Sequence, residues 1–212
     1  MKYVIFDLDG VIVNTEPLNF YLWKKVCKDY GIDLDYDVYK YVIGSTIEYL
    51  FTLIKDAYHV DFHGNEDVLK LYNKYKDEIL ETEGFPKNEG VEDIVHYLKQ
   101  KGYILAIASS SPQKYIELAV KFLGIEDCFD TLVSGEKVKN PKPAPDVFLK
   151  AASAINANPE ECLVVEDSTK GVQAAKNAGM HCYGFINPDS GNQDVSKADF
   201  VFERFEQLKD KL

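Results

Sequence analysis

Apolar runs and stretches of helical periodicity alternate along most of the chain. The first run, Tyr3-Val4-Ile5-Phe6, is β-branched and aromatic and passes straight into Asp7-Leu8-Asp9-Gly10. It reads as a buried strand over residues 3–10, with Gly10 letting the chain leave it. The period then changes. Leu18, Leu22, Val26 and Tyr30 recur at helical spacing, with Asn14 or Thr15 as cap, Pro17 in the first turn and Gly31 as the stop. A short helix over residues 36–42 is broken by Gly44, and Ser45 or Thr46 opens a third. Val68, Leu71, Tyr72, Tyr75 and Ile79 form the apolar face of a fourth. No convincing strand falls between residues 15 and 82.

Past a loop at residues 84–90, strands and helices alternate. Strands are predicted at 103–108, 131–134, 162–165, 181–186 and 199–202. Between them fall helices marked by Val91, Ile94 and Leu98, by Ile116, Ala119 and Leu123, by Val147, Phe148 and Ala151, and by Val172 and Ala175. Ser111 and Pro112 make the start of the second of these helices. Such alternation implies right-handed crossovers and a parallel sheet. The expected fold class is α/β: a doubly wound, Rossmann-like core of residues 1–14 and 83–212, with a helical-bundle cap of residues 15–82 inserted after strand one.

Composition narrows the functional classes. The chain has 212 residues, 46% of them hydrophobic, enough for a sizeable core. A net charge of −11 argues against nucleic acid or an anionic membrane as partner. It also means that an anionic substrate needs a local cation. Cys27, Cys128, Cys162 and Cys182 show neither metal spacing nor a disulfide pattern and read as buried apolar groups in a reducing compartment. No apolar run reaches membrane-spanning length, and the chain opens on a core strand, which leaves no room for a secretory signal. The expected setting is cytoplasmic and the expected form a monomer.

The chemistry lies where the strands stop. In an extended segment Asp7 and Asp9 face one side, at the sheet edge where open α/β proteins bind ligands. The later strands contribute Ser109, then Glu166 and Asp167, and a proline-rich loop presents Lys142. Several acids around one point require a cation, and oxygen ligands suit Mg²⁺, which shares its shell with phosphate. A lysine and a hydroxyl suit phosphate oxygens, and an aspartate can be a covalent nucleophile toward phosphorus. These types together describe a phosphoryl-transfer site.

The motifs Asp7-Leu8-Asp9-Gly10-Val11, Thr15-Glu16-Pro17-Leu18, Ser109, Lys142-Pro143-Ala144-Pro145-Asp146 and Val165-Glu166-Asp167-Ser168-Thr169-Lys170-Gly171-Val172 follow one another in order. With them the chain resembles, over essentially its whole length, the haloacid dehalogenase superfamily, in the branch of small phosphatases and β-phosphoglucomutase. The resemblance implies an aspartyl-phosphate mechanism on a small phosphorylated metabolite. In it Asp7 is the nucleophile and Asp9 the general acid and base. Mg²⁺ is held by Asp7, Asp167 and the Asp9 carbonyl, with Glu166 acting through a water. Ser109 and Lys142 grip the phosphoryl group, and the helical insert is a cap. Gly10, Ser110, Ser111, Asn19 and Thr46 are further candidate substrate contacts.

The sequence also departs from that branch. Asn14 stands where Asp is usual and Asn19 where His is usual. Ile43 and Ile47 stand where the mutase has a lysine and an arginine for a sugar phosphate. A mutase must retain a doubly phosphorylated intermediate, so the expectation is hydrolysis of a sugar phosphate or related monoester. β-Phosphoglucomutase is the alternative, and a receiver-like phosphoacceptor module a second one. Outside this constellation, His59, Asp61 and His63 read as a surface loop, and Trp23 and the tyrosines of the insert as packing.

Overall fold

A computed structural model describes residues 2–43 and 46–212. Six parallel strands are β1 (Tyr3–Phe6), β2 (Ile104–Ser109), β3 (Thr131–Ser134), β4 (Cys162–Glu166), β5 (His181–Phe185) and β6 (Phe200–Phe202), in the order β3-β2-β1-β4-β5-β6. That is the doubly wound order, and its switch point lies beside β1. The register sets Phe6 level with Ile107 of β2 and Val165 of β4. The ends of β1, β2 and β4 therefore share one edge, as the alternating pattern predicts.

Side-chain alternation along the strands builds two cores. Val4, Phe6, Leu105, Ile107 and Val165 face one side with helices α5 (Val91–Gln100) and α6 (Gln113–Phe122). Ile5, Ala106, Ala108 and Val164 face the other with α7 (Asp146–Ala154) and α8 (Thr169–Asn177). Strands buried on both faces explain the near-continuous apolar runs.

The helical insert comprises α1 (Thr15–Asp29), α2 (Tyr36–Tyr39), α3 (Ile47–Tyr58) and α4 (Glu66–Thr82). It has its own cluster around Trp23, Val26, Leu50, Phe51, Ile54 and Phe62. Fully buried Leu50 and Ile54 contribute about 1.5–3 kcal/mol each. Thr46 caps α3, its hydroxyl accepting from the Tyr49 N–H at 3.3 Å. The break expected at Gly44 and the alternative cap Ser45 lie outside the described residues.

Three local expectations need correction. The first strand ends at Phe6, not at residue 10. The Leu8 carbonyl accepts from the N–H groups of Val11, Ile12 and Val13, and this coils the chain back immediately. Asn14 occupies the N-cap position of α1 but its side chain makes no cap bond; its amide is drawn instead to Asp189 at 2.7 Å. The cap position of α6 is Pro112, not Ser111, because the Ser111 hydroxyl is used by Asp9.

Candidate active site

The site starts from the turn after β1. Asp7 still belongs to the sheet through its N–H, which donates to the Val165 carbonyl at 2.9 Å. The residue is 6% exposed. Gly10 turns the chain at φ +86°, and a Cβ there would collide with the Asp167 carboxylate; the backbone passes this close because no side chain intervenes. Two amides hold the turn. Asn88 Nδ2 donates to the carbonyls of Gly10 and Val11 at 2.9 and 2.8 Å, and Asn187 Nδ2 donates to Gly10 at 2.9 Å.

Lys142 comes down from the proline-rich loop between two acids. Its ammonium donates to Asp7 Oδ1 at 2.6 Å and to Glu166 Oε1 at 2.7 Å, while it lies 4.7 Å from the centre of the Phe148 ring. Burial works against its charge, but Asp7 and Glu166 more than offset that and hold its pKa above the ordinary lysine value. Glu166 is fully buried and committed on both oxygens, since Oε2 accepts from the Ser168 N–H at 2.7 Å and its hydroxyl at 2.9 Å. Gly171, one turn into α8, leaves room for it: a Cβ there would strike Oε1.

Asp7, Glu166 and Asp167 bring carboxylate oxygens within 4.8 Å of one another, the one such grouping of metal-ligating side chains among the described residues. Burial raises the Asp7 pKa to about 7, opposed by Lys142 and reinforced by Glu166 and Asp9. Burial and the charge of Glu166 push Asp167 well above its ordinary value. Lys142 faces three buried acids, and Asp167 Oδ1 is buried with no hydrogen-bond partner among the described residues. Unpaired buried acceptors are costly, and an oxygen-only donor set of this kind fits a hard divalent cation.

Asp9 stands apart from that cluster. Its Oδ2 accepts from Ser111 Oγ at 2.5 Å and from Ser109 Oγ at 3.3 Å. Ser109 Oγ in turn accepts from the Ser111 N–H at 2.9 Å. A cleft of about 180 Å³ brings Asp7, Asp9, Gly10, Ser110, Lys142 and Asp167 to its walls, and Ser109 and Glu166 with them. Ser111 is not on that wall. Asn19 and Thr46 line a second cleft of about 180 Å³ in the insert, with Trp23, Tyr39, Ile43 and Ile47. Trp23 stacks on Tyr72 at 4.6 Å, and the Tyr72 hydroxyl donates to Asn19 Oδ1 at 2.8 Å. The two clefts share Glu16 and Ile43. Tyr21 is exposed and lines neither. His63 and Lys55 both pair with Asp61 on the surface, at 2.7 and 2.6 Å.

Sequence reasoning did not single out Glu16, Asn88, Asn187 or Ser190 as site residues. Glu16 had a signal, its place in Thr15-Glu16-Pro17-Leu18; lone asparagines and a serine in loops have none. Burial raises the Glu16 pKa to about 7, helped by the Asp9 charge and opposed by an Asn19 hydrogen bond. A raised carboxylate pKa means that stability is fully present below the ordinary value near 4.5 and is lost as pH rises through about 7. In thermal unfolding with chelator, Glu16→Gln is expected to be more stable than wild type by about 2 kcal/mol at pH 8 and nearly equal at pH 4. A gap that does not widen with pH would contradict this.

The family model for haloacid dehalogenase-like hydrolase matches residues 4–185. A phosphorylated carbohydrates phosphatase of Thermotoga maritima is 34% identical over 95% of this chain and 93% of its own. A β-phosphoglucomutase of Bacillus subtilis is 31% identical over 98% and 92%. The crystal structure of β-phosphoglucomutase from Clostridium difficile superposes with a TM-score of 0.76 at 28% identity, covering 100% and 94%. The chain belongs to the haloacid dehalogenase-like hydrolase family and is an enzyme of its phosphatase type.

Proposed function

We propose that this enzyme is a Mg²⁺-dependent phosphatase that hydrolyses a small phosphate monoester, a sugar or polyol phosphate, through an aspartyl-phosphate intermediate on Asp7. The carrying observation is the convergence of Asp7, Lys142, Glu166 and Asp167 at the switch point of the sheet, with Asp9 across the same cleft. Asp7 and Asp167 are the side chains that would hold the ion, with the Asp9 carbonyl as the family resemblance implies. When bound, it would screen the charge between a carboxylate nucleophile and a phosphate dianion. The rest falls to the chain. An Asp7 oxygen attacks phosphorus as the bond to the leaving oxygen breaks, and Asp9 gives that oxygen a proton. Asp9 then takes a proton from the water that attacks phosphorus, and the bond to Asp7 breaks. Lys142, fixed by Asp7 and Glu166, meets the equatorial oxygens with a preorganised cation. Ser109 and Ser111 aim the Asp9 carboxyl.

The insert, residues 15–82, acts in this reading as a cap whose cleft takes the leaving group. That cleft is lined by aromatic and aliphatic groups with Glu16, Asn19 and Thr46, and by no lysine or arginine among the described residues. Hydroxyl groups fit it, and a second phosphate does not. The similarity to mutases keeps β-phosphoglucomutase as the competing reading. The proposed working form is a cytoplasmic monomer. Among the described residues no helix is long and apolar enough to cross a membrane.

The deciding assay supplies β-glucose 1-phosphate with catalytic glucose 1,6-bisphosphate and Mg²⁺, beside a panel of sugar and polyol monophosphates. Free phosphate is expected to outrun glucose 6-phosphate by at least about tenfold, since a second phosphate buried without a cationic partner forgoes roughly 2–5 kcal/mol of binding. Glucose 6-phosphate forming faster than free phosphate would establish the mutase.

A further inference from the structure

The loop after β5 carries no motif, yet it reaches the centre of the site. Ser190 is 4% exposed. Its hydroxyl donates to Asp167 Oδ2 at 2.5 Å. The same oxygen abuts the backbone of Gly10, where any Cβ would collide with it. Oδ2 is thus occupied by a hydroxyl and walled by a main chain. Oδ1 of the same carboxylate is buried and has no hydrogen-bond partner among the described residues.

We propose that Ser190 is a positioning residue for the divalent cation: by engaging Asp167 Oδ2 it fixes the carboxylate so that Oδ1 alone faces the ion. The inference rests on the metal reading given above and adds to it which oxygen binds and what fixes it.

The loop can hold that position because it is pinned to the nucleophile turn. The Ser190 N–H donates to the Asn187 carbonyl at 3.1 Å, and the Asp189 N–H to Asn187 Oδ1 at 2.8 Å. Asn187 Nδ2 donates to the Gly10 carbonyl at 2.9 Å and to Asn14 Oδ1 at 3.2 Å. Ser190 therefore moves with the segment that carries Asp7, and the two acids keep their relative placement.

The consequence is one of ion choice. Mg²⁺ demands near-octahedral geometry and takes a carboxylate through one oxygen, whereas Ca²⁺ accepts looser shells and bidentate carboxylates. A hydroxyl that ties up Oδ2 removes the bidentate option. Losing it frees the carboxylate to rotate, which weakens Mg²⁺ and leaves Ca²⁺ little changed. Outer-shell partners of metal ligands typically set affinity by about 10–100-fold.

The test is calorimetric titration of wild type, Ser190→Ala, Ser190→Thr and Ser190→Cys with Mg²⁺ alone and with Ca²⁺ alone, beside Mg²⁺-activation curves. Ser190→Ala is expected to bind Mg²⁺ about 10–100-fold more weakly, with its preference over Ca²⁺ reduced by a similar factor. The Mg²⁺ concentration that half-activates turnover is expected to rise by the same factor, which places the change in the metal dependence. Thr, which keeps the hydroxyl, restores the affinity, and Cys, a weaker donor, falls between. The graded Thr and Cys variants carry the test if Ala does not fold. Wild-type Mg²⁺ affinity and wild-type ion preference in Ser190→Ala or Ser190→Cys would overturn the positioning role while leaving the metal site standing. A wild-type protein that binds neither ion would overturn the metal reading, and this inference with it.

Discussion

Asp7→Asn is expected to lower phosphatase turnover by about 10³-fold or more while leaving the fold intact. On the proposed mechanism the Asp7 carboxylate forms the covalent bond to phosphorus, and a neutral amide is neither nucleophile nor leaving group for that step. Losing the nucleophile of a catalytic unit removes most of what the unit contributes. The stability effect should be small and of opposite sign to what intuition about a broken ion pair suggests. Asp7 is paired with Lys142, but burial already raises its pKa to about 7, so its charge is not comfortable there. Lys142 keeps Glu166 as partner, and an amide oxygen can still accept from its ammonium. Steady-state kinetics, with thermal unfolding at pH 8 alongside, check both halves. Activity within tenfold of wild type would sink the aspartyl-phosphate reading.

The fold was legible because its signals are local and redundant. The doubly wound order follows from strands that are apolar on both faces and alternate with short helices, and β3 falls on the predicted residues 131–134. The motif acids were legible because each sits at or just past the C-terminal end of such a strand. What stayed hidden depends on contacts distant in sequence. Asn88 and Asn187 bond the same Gly10 carbonyl from positions 78 and 177 residues away, and nothing in their neighbours announces it. The end of β1 at Phe6 was misread for a related reason. Alternation would place Asp7 and Asp9 on one face of a strand, but the Leu8 carbonyl gathers three N–H groups and coils the chain. The two acids reach one cleft by that turn and not by the pleat. The Ser109-Ser110-Ser111 run suggested phosphate binding and helix capping. Two of its hydroxyls go to Asp9, a use that only the folded juxtaposition of β1 and β2 makes available.

Lys142→Met is expected to destabilise the protein by about 3–5 kcal/mol at pH 8, and to lower activity by at least about 100-fold. Methionine keeps much of the apolar stem against Phe148 and deletes the charge, so the loss reports the ion pairs and not a cavity. Asp7 is 6% and Glu166 0% exposed, and without the ammonium they become buried acids facing Asp167. Breaking a buried pair by removing one partner leaves an uncompensated charge, which is the expensive case. For a chain of this length that corresponds to a fall in melting temperature of about 10 °C. The pH dependence has a definite sign. Removing Lys142 takes away the contribution that lowers the Asp7 pKa, so the folded-state value rises further above its ordinary one. Stability is then fully present below the ordinary carboxylate range and lost as pH climbs through the raised value, so the deficit of the variant grows from pH 5 to pH 8. Divalent ion should repair part of the stability deficit, because a cation then supplies what the lysine did, but it does not replace the ammonium at the phosphoryl oxygens. Unfolding curves at the two pH values with and without Mg²⁺, together with phosphate-release kinetics, separate these effects. A variant as stable as wild type at pH 8 would show that Lys142 does not hold the acids together. A variant that Mg²⁺ restores to full activity would show that the lysine has no part in the transfer step.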